Sequence, residues 1–390
     1  MLRTSHNTPL RVALFGGSNS IDRDQAYPRQ LLERLHRWNA APVLHNLAIG
    51  ATGTLLPSFC ASAVLPAVDV VIVETGSNDA ITWPEQAIHY NMPPNRPQLN
   101  PPAAMERLLR ALPASTRVIV FSVCGPGLPE NRLLMKRCPT FHMDVAKRYN
   151  AYFLDLLRAT GPQTRHHVPM NVLFDTVGAG GIHLTQDGNH HAARVLDETL
   201  FWMFLDERAR NQGIVRSSDH PLPPPLHLDP SWELVDSPWH CRVCTPRTAC
   251  AHVQPVQPPV GFQTSTREAN EWLGWQKYGW ETKAMPNATI TFDVAGHVLV
   301  AFACQGFWRR SSSDAGVALI SVGNGHARPK HRLHLNWTQP AHHMCVAEVA
   351  RHLPPGSKLT IQTDDSAGGS IKVYGIFEQS PPAWVPPVSS

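Results

Sequence analysis

The chain has 390 residues, 43% of them hydrophobic and 16% charged, with a formal net charge of +4, which suits two or three globular domains, each with its own core. So small a charge, with no long run of Lys or Arg, argues against nucleic acid as a partner, and no apolar stretch approaches the roughly 20 residues of a membrane span. The start, MLRTSHNTPLRVALF, carries no apolar signal-peptide core ahead of the first strand, so the expectation is a cytoplasmic chain at face value, or a secretory one if the N-terminus is truncated. Its compartment and oligomeric state stay open.

In chain order, Arg11–Ser20 (RVALFGGSNS) is an apolar run that meets two glycines and a serine. Such a run, bounded by turn residues, reads as a buried strand of a parallel sheet. Gly16-Gly17 allow a sharp turn, which leaves Ser18 just past the strand's C-terminal end. Pro28 suits the first turn of a helix, and Tyr27, Leu31, Leu35 and Trp38 recur at helical spacing. Pro42–Leu47 is a second strand, ending in Ala48-Ile49-Gly50-Ala51-Thr52-Gly53. Val68–Val73 is a third, almost wholly apolar as a strand covered on both faces should be, and it runs into Glu74-Thr75-Gly76-Ser77-Asn78-Asp79. A helix with Met105, Leu108, Leu109 and Leu112 leads to a fourth strand, Arg117–Val123. A longer helix is predicted over Phe141–Ala159, a fifth strand over Val168–Phe174 and a closing helix over His190–Glu207. This alternation predicts a three-layer α/β/α domain with a parallel sheet over residues 1–212.

The composition then shifts. Residues 213–260 carry PLPPPLHLDP and PVQPPV, too rich in proline for a helix or a central strand, and read as a linker. Residues 261–378 hold short alternating segments at Thr289–Val294, His297–Cys304, Gly316–Val322, Arg332–Trp337, Lys358–Thr363 and Ser370–Phe377, the spacing of a β-sandwich. Residues 379–390 form a tail.

The chemistry falls at the strand ends. Ser18, Gly50/Ala51 and Asn78 each follow an apolar strand, so parallel neighbours would bring all three to one sheet edge, where open α/β sheets bind ligands. A serine needs a base to become a nucleophile, and Gly180-Gly181-Ile182-His183 can bring an imidazole to the same edge. A tetrahedral oxyanion needs preorganised donors. The N–H groups at Ser18 and Gly50/Ala51 and the amide of Asn78 would supply three.

Four blocks, GGSNS at 16–20, NLAIGATG at 46–53, GSND at 76–79 and GIHLTQDGNHHAA at 181–193, match in order and spacing. Through them the first half of the chain resembles the SGNH (GDSL-type) hydrolase superfamily. The resemblance implies Ser18 as nucleophile, His183 as base, and Asn78 with the Gly50/Ala51 N–H as oxyanion hole. It further implies ester hydrolysis, often of acetyl groups on carbohydrate, without metal or organic cofactor. The C-terminal region, with KYGWET at 277–282 and TITFDV at 289–294, is similar to a β-domain appended to some members. Three positions depart from the pattern. Gly17 replaces the usual aspartate of Gly-Asp-Ser, Ala51 aligns with a glycine, and Gly180 stands where the family carries the aspartate that orients the histidine. Asp175, at the end of the predicted fifth strand, is the favoured replacement. Asp187, near the start of the closing helix and expected to cap it, and a backbone carbonyl are alternatives.

Other features have plainer readings. His240-Cys241-x-x-Cys244 with Cys250 and His252 has zinc-ligand types, but disulfides or thiols fit a segment lacking a second CxxC. Trp272, Trp275, Trp280, Trp308 and Trp337 could stack on sugars, although such residues more often fill a sandwich core. Asp79 is expected to cap the helix after the third strand. The reading is a serine esterase acting on acyl, possibly acetyl, esters of a small molecule or carbohydrate. The alternatives are a carbohydrate-binding protein on a hydrolase scaffold that has lost turnover, and a sugar O-acyltransferase.

Overall fold

A computed structural model describes residues 9–21, 24–50, 52–80, 101–126, 138, 142–165, 167–176, 181–210, 222–228, 239–244, 250–265, 278–282, 287–304, 316–323, 331–335, 343–364 and 369–379. The described residues divide into two units after Leu228.

The first unit is built on a parallel sheet of five strands: β1 (Arg11–Gly16), β2 (Val43–Asn46), β3 (Val70–Glu74), β4 (Arg117–Ser122) and β5 (Tyr152–Asp155), in the order β2-β1-β3-β4-β5. Its helices are α1 (Tyr27–Leu35), α2 (Leu55–Val64), α3 (Pro101–Ala111), α4 (Met143–Arg148), the short α5 (Leu156–Ala159) and α6 (Met170–Leu173), and the long α7 (Gln186–Arg210). Alternation along β1 sorts its side chains to two cores. Val12 and Leu14 meet Tyr27, Leu31 and Leu35 of α1 and Ala192, Leu196 and Leu200 of α7 on one face. Ala13 and Phe15 meet Ala61 of α2, Met105 and Leu109 of α3 and Val145 of α4 on the other. Fully burying an aliphatic side chain of this size contributes about 1.5–3 kcal/mol, so two filled faces hold three layers together. The chain leaves β1 toward β2 on one side and toward β3 on the other. That makes the C-terminal ends of β1 and β3 the switch point where ligands bind in open α/β sheets.

The fifth strand differs from the sequence expectation. Residues predicted as one helix over 141–159 instead form α4, β5 and α5. Asn150, in the left-handed region at φ 52°, ends the helix, and Tyr152-Phe153-Leu154 then suit the edge of a sheet. The segment predicted as a strand at 168–174 is helical, because Pro169 opens the single turn of α6. Phe174 keeps only an isolated antiparallel bridge to Leu184.

The second unit is an antiparallel sheet in the order β11-β10-β12-β9-β13-β8-β7, with β6 also paired to β13. The strands are β6 (Trp239–Val243), β7 (Phe262–Ser265), β8 (Gly279–Thr282), β9 (Thr289–Cys304), β10 (Val317–Gly323), β11 (His331–His334), β12 (His343–Thr363) and β13 (Lys372–Gln379). The long strands β9 and β12 pair along their length with three register shifts, and bulges of this kind bend a strand. The curled sheet closes a sandwich-like core around Phe292, Val300, Ile320, Ile361 and Ile376. Two predicted strands, at 289–294 and 297–304, are one here, bent at Gly296, whose φ is +71°. Part of the stretch read as a linker belongs to this sheet. Trp239–Val243 lies between Pro238 and Pro246 and, free of proline, has every N–H available for pairing with β13.

The cysteines of that stretch are not a metal site. Cys244 and Cys250 form a disulfide, and among the described residues no group of three His, Cys, Asp or Glu side chains could hold a metal ion. Of the tryptophans considered for sugar stacking, Trp280 is a core residue, buried with its indole N–H donating to the Val253 carbonyl at 2.6 Å. Trp272, Trp275, Trp308 and Trp337 lie outside the described residues. No helix among the described residues is long and apolar enough to cross a membrane.

Candidate active site

Three of the turns named from sequence meet at the C-terminal edge of the parallel sheet. After β1, residues Ser18–Ser20 form one 3-10 turn. The turn is pinned to β3 through Gly17 N–H, which donates to the Glu74 carbonyl at 3.0 Å, and to the loop after β2 through Ile49 N–H, which donates to the Gly16 carbonyl at 3.1 Å. The Ser18 hydroxyl lies 2.9 Å from Nε2 of His183, across 165 residues of sequence. Asn78 sits in a helical turn directly after β3, buried, its amide donating to the Thr52 carbonyl at 3.0 Å. A Cβ on Gly17 would come within 2.0 Å of Asn78 Nδ2. Gly17 therefore lets the asparagine amide reach the backbone next to Ser18. Gly50 is buried at the end of the β2 loop, whereas Ala51 and Gly180 lie outside the described residues.

Asn19 was not singled out from the sequence, and it holds the two halves together. Its amide donates to the Ile182 carbonyl at 3.1 Å and accepts from Leu184 N–H at 3.0 Å, bracketing His183 on both sides. The rest of the last block anchors that segment. Thr185 caps α7, its hydroxyl accepting from Gly188 N–H at 2.9 Å. Gly188 is required because a Cβ there would lie 2.0 Å from the Leu173 carbonyl oxygen. Asn189 accepts from Tyr27 N–H at 3.0 Å, tying α7 to α1. The expected cap, Asp187, instead lies within the first turn of α7.

Asp175 is joined to His183 through the main chain, its N–H donating to the His183 carbonyl at 2.9 Å, and its own carbonyl accepts from Gly181 N–H at 2.8 Å. The structure thus brings Asp175 beside the loop that carries the histidine. Asp79 does not cap its own helix. It accepts from Thr54 N–H at 2.8 Å, from the Thr54 hydroxyl at 2.5 Å and from Nε2 of the buried His142 at 2.7 Å. Gly53 makes room for it, since a Cβ there would lie 2.1 Å from Asp79 Oδ1.

Beneath the serine turn lies a second buried cluster. The Ser20 hydroxyl donates to Glu74 Oε2 at 2.7 Å and lies 2.5 Å from the Tyr27 hydroxyl. Burial pushes the Glu74 carboxyl up to about 8, against the lowering effect of the Ser20 hydroxyl and the Gly17 N–H. Burial also raises the Tyr27 phenol. Glu74 is therefore a neutral acid at pH 7.

A serine bonded to an imidazole, beside an asparagine amide, stands at the switch point of this α/β/α sheet, the arrangement expected of an SGNH-type carboxylic ester hydrolase. Residues 14–191 match the model of the GDSL-like Lipase/Acylhydrolase family. Among curated proteins no sequence matches significantly. Among solved structures, a two-domain esterase active on acetylated mannans superposes with a TM-score of 0.57 at 16% identity, over 96% of this chain and 92% of that one. The same kind of enzyme co-crystallised with mannopentaose gives 0.55 at 16% identity, over 97% and 92%. At such identity the likeness speaks for the two-domain fold.

Proposed function

We propose that the protein is a serine esterase that removes acyl groups, acetyl foremost, from a carbohydrate, with Ser18 as nucleophile and His183 as base. The observation that carries this reading is the 2.9 Å contact between Ser18 Oγ and His183 Nε2. It is the nucleophile–base bond that acyl transfer requires. With the proton on Nδ1, the imidazole accepts the Ser18 proton as the oxygen attacks the acyl carbon. The oxyanion is held by the N–H of Ser18, the amide of Asn78 and an N–H of Gly50 or Ala51. The imidazolium then protonates the departing alcohol, leaving an acyl-serine. Water, deprotonated by the same ring, then attacks the acyl carbon, and the imidazolium returns that proton to the Ser18 oxygen as the acid leaves. Asp175 supports the imidazolium in place of a carboxylate at Gly180. The acetylated-mannan activity of the two-domain structural neighbour makes acetylated polysaccharide the first substrate to try.

The test is hydrolysis of p-nitrophenyl acetate, with fluorophosphonate labelling beside it. Ser18→Ala should abolish both while leaving the melting temperature unchanged, because a turn serine adds little to the core. Wild-type turnover in Ser18→Ala would remove the assignment.

A further inference from the structure

A cavity of about 200 Å³ holds Ser18 and His183, and it shares Asp24, Gln25 and Gln186 with a second, larger cavity of about 460 Å³. The two adjoin through these shared residues and are read together as one furrow. It runs from the serine–histidine pair along the exposed side of the first turns of α1 and α7. On α1, Arg29 and Glu33 are one helical turn apart and so share a face, while Leu31 and Leu35 turn the opposite way into the core. On α7, Gln186 and His190 have the same spacing.

The side chains that line the larger cavity are all polar or charged, with none aliphatic and the His190 imidazole as the one ring. Pockets that take drug-like or acyl-chain ligands are predominantly apolar, so this one does not suit a fatty chain or an aryl group. Its charged groups are three carboxylates, one guanidinium and an imidazole, a balance that disfavours an anion. Carboxylates accept several hydrogen bonds at once, and amides both donate and accept. The imidazole is also set for this: Arg34 Nη2 lies 3.0 Å from His190 Nε2, and a guanidinium can only donate, so His190 is neutral with its proton on Nδ1. Acceptors in excess, a few donors and little apolar surface suit a neutral ligand rich in hydroxyl groups.

We infer that this furrow is the subsite for the alcohol half of the ester, and that it takes a polyhydroxylated chain of two or more sugar units extending away from Ser18. The inference rests on the proposed esterase reading and deepens it. The small cavity suffices for an acetyl group and a simple leaving group, whereas the long one serves only an extended alcohol.

The experiment compares Arg29→Ala, Glu33→Ala and the double variant with the wild type on two substrates, p-nitrophenyl acetate and a partly acetylated mannopentaose. Both residues lie on the exposed face of α1, and their melting temperatures serve as the folding control. The double variant should lose about tenfold or more in kcat/KM on the oligosaccharide, mostly through KM, the size of about one charge-assisted hydrogen bond. On p-nitrophenyl acetate it should stay within about twofold. Equal effects on the two substrates, or none on either, overturn the inference. A binding arm works without turnover. Titration of the Ser18→Ala protein with unacetylated mannopentaose should show saturable binding that the added Arg29→Ala/Glu33→Ala pair weakens. Absence of binding, or binding indifferent to the pair, overturns the inference as well. Failure of the esterase reading looks different: Ser18→Ala would then still hydrolyse p-nitrophenyl acetate.

Discussion

The space beside Gly17 is filled by the Asn78 amide, and a Cβ at Gly17 cannot share it. With 2.0 Å between a Cβ at Gly17 and the Asn78 amide nitrogen, Gly17→Ala should displace that amide rather than unfold the domain. Removing an oxyanion donor costs on the order of 100-fold in kcat. Gly17→Ala should approach that loss with KM and melting temperature little changed, measured by steady-state kinetics and thermal denaturation. An unaffected kcat would mean that the amide is not part of the hole. Glu74 gives a second residue-scale prediction. Its carboxyl titrates near 8 when folded and near 4.5 when unfolded, so the native state holds the extra proton between those values. Stability from this group is therefore full below about pH 4.5 and declines as pH rises through 8. Glu74→Gln, which mimics the neutral acid, should flatten the fall in melting temperature between pH 5 and pH 8. A slope identical to the wild type's would contradict this. Ser18, Asn78 and His183 were visible in the sequence because each polar residue follows an apolar run or sits in a glycine turn. Asn19 and Glu74 were not, since their partners lie 163 and 54 residues away in the chain and no local pattern marks such a bond.

At the scale of elements, the proline-rich stretch after α7 has a fixed beginning. Residues 222–228 have little regular secondary structure, yet the first unit holds them with its own side chains. Buried Glu106 of α3 accepts from the N–H groups of Leu226, His227 and Leu228 at 2.7, 2.6 and 3.0 Å, and from the Tyr149 hydroxyl at 2.7 Å. Arg110 adds a bond to the Pro223 carbonyl at 2.8 Å, and Arg148 one to Pro224 at 3.0 Å. Burial by itself would raise the Glu106 carboxyl, but these donors bring it below its ordinary value. Its stabilisation is accordingly present at neutral pH and lost as the solution is acidified below that lowered value. Glu106→Ala should cost about 3 kcal/mol, in the range for removing a buried, hydrogen-bonded charge, and should expose residues 222–228 to proteolysis. A protease-resistant variant of wild-type stability would refute the role. Proline removes donors and breaks regular ladders, so composition correctly marks this segment as neither helix nor central strand. Composition says nothing of a carboxylate elsewhere that collects the N–H groups left over. The short strands β6, β7 and β8 went unread for a related reason. Edge pairing is a backbone matter, and four or five residues carry little side-chain pattern. Within Phe141–Ala159 the apolar spacing fitted a helix, and the decisive event, Asn150 turning to positive φ, is a single backbone rotation.

Across the whole molecule, both units carry covalent ties, among them Cys124–Cys138 in the first and Cys244–Cys250 in the second; Cys60 and Cys241 are disulfide-bonded as well. The Cys124–Cys138 bridge lies against the site. A Cβ on Gly76, two residues before Asn78, would meet the two sulfurs at 3.3 and 3.5 Å, and the same pair packs with Ala80 and Ile182. Closing a loop of about 15 residues removes roughly 3 kcal/mol of unfolded-state entropy in the chain-entropy account. Such bonds persist where the surroundings are oxidising and are rare where glutathione keeps thiols reduced. Maturation of this enzyme is thus coupled to electron transfer. A preparation made in a reducing cytosol contains chains that have yet to surrender two electrons for each bridge. The thiols of the first pair lie between the strand that ends at Ser122 and the turn that presents Asn78, so the redox history of a sample is written next to its catalytic edge.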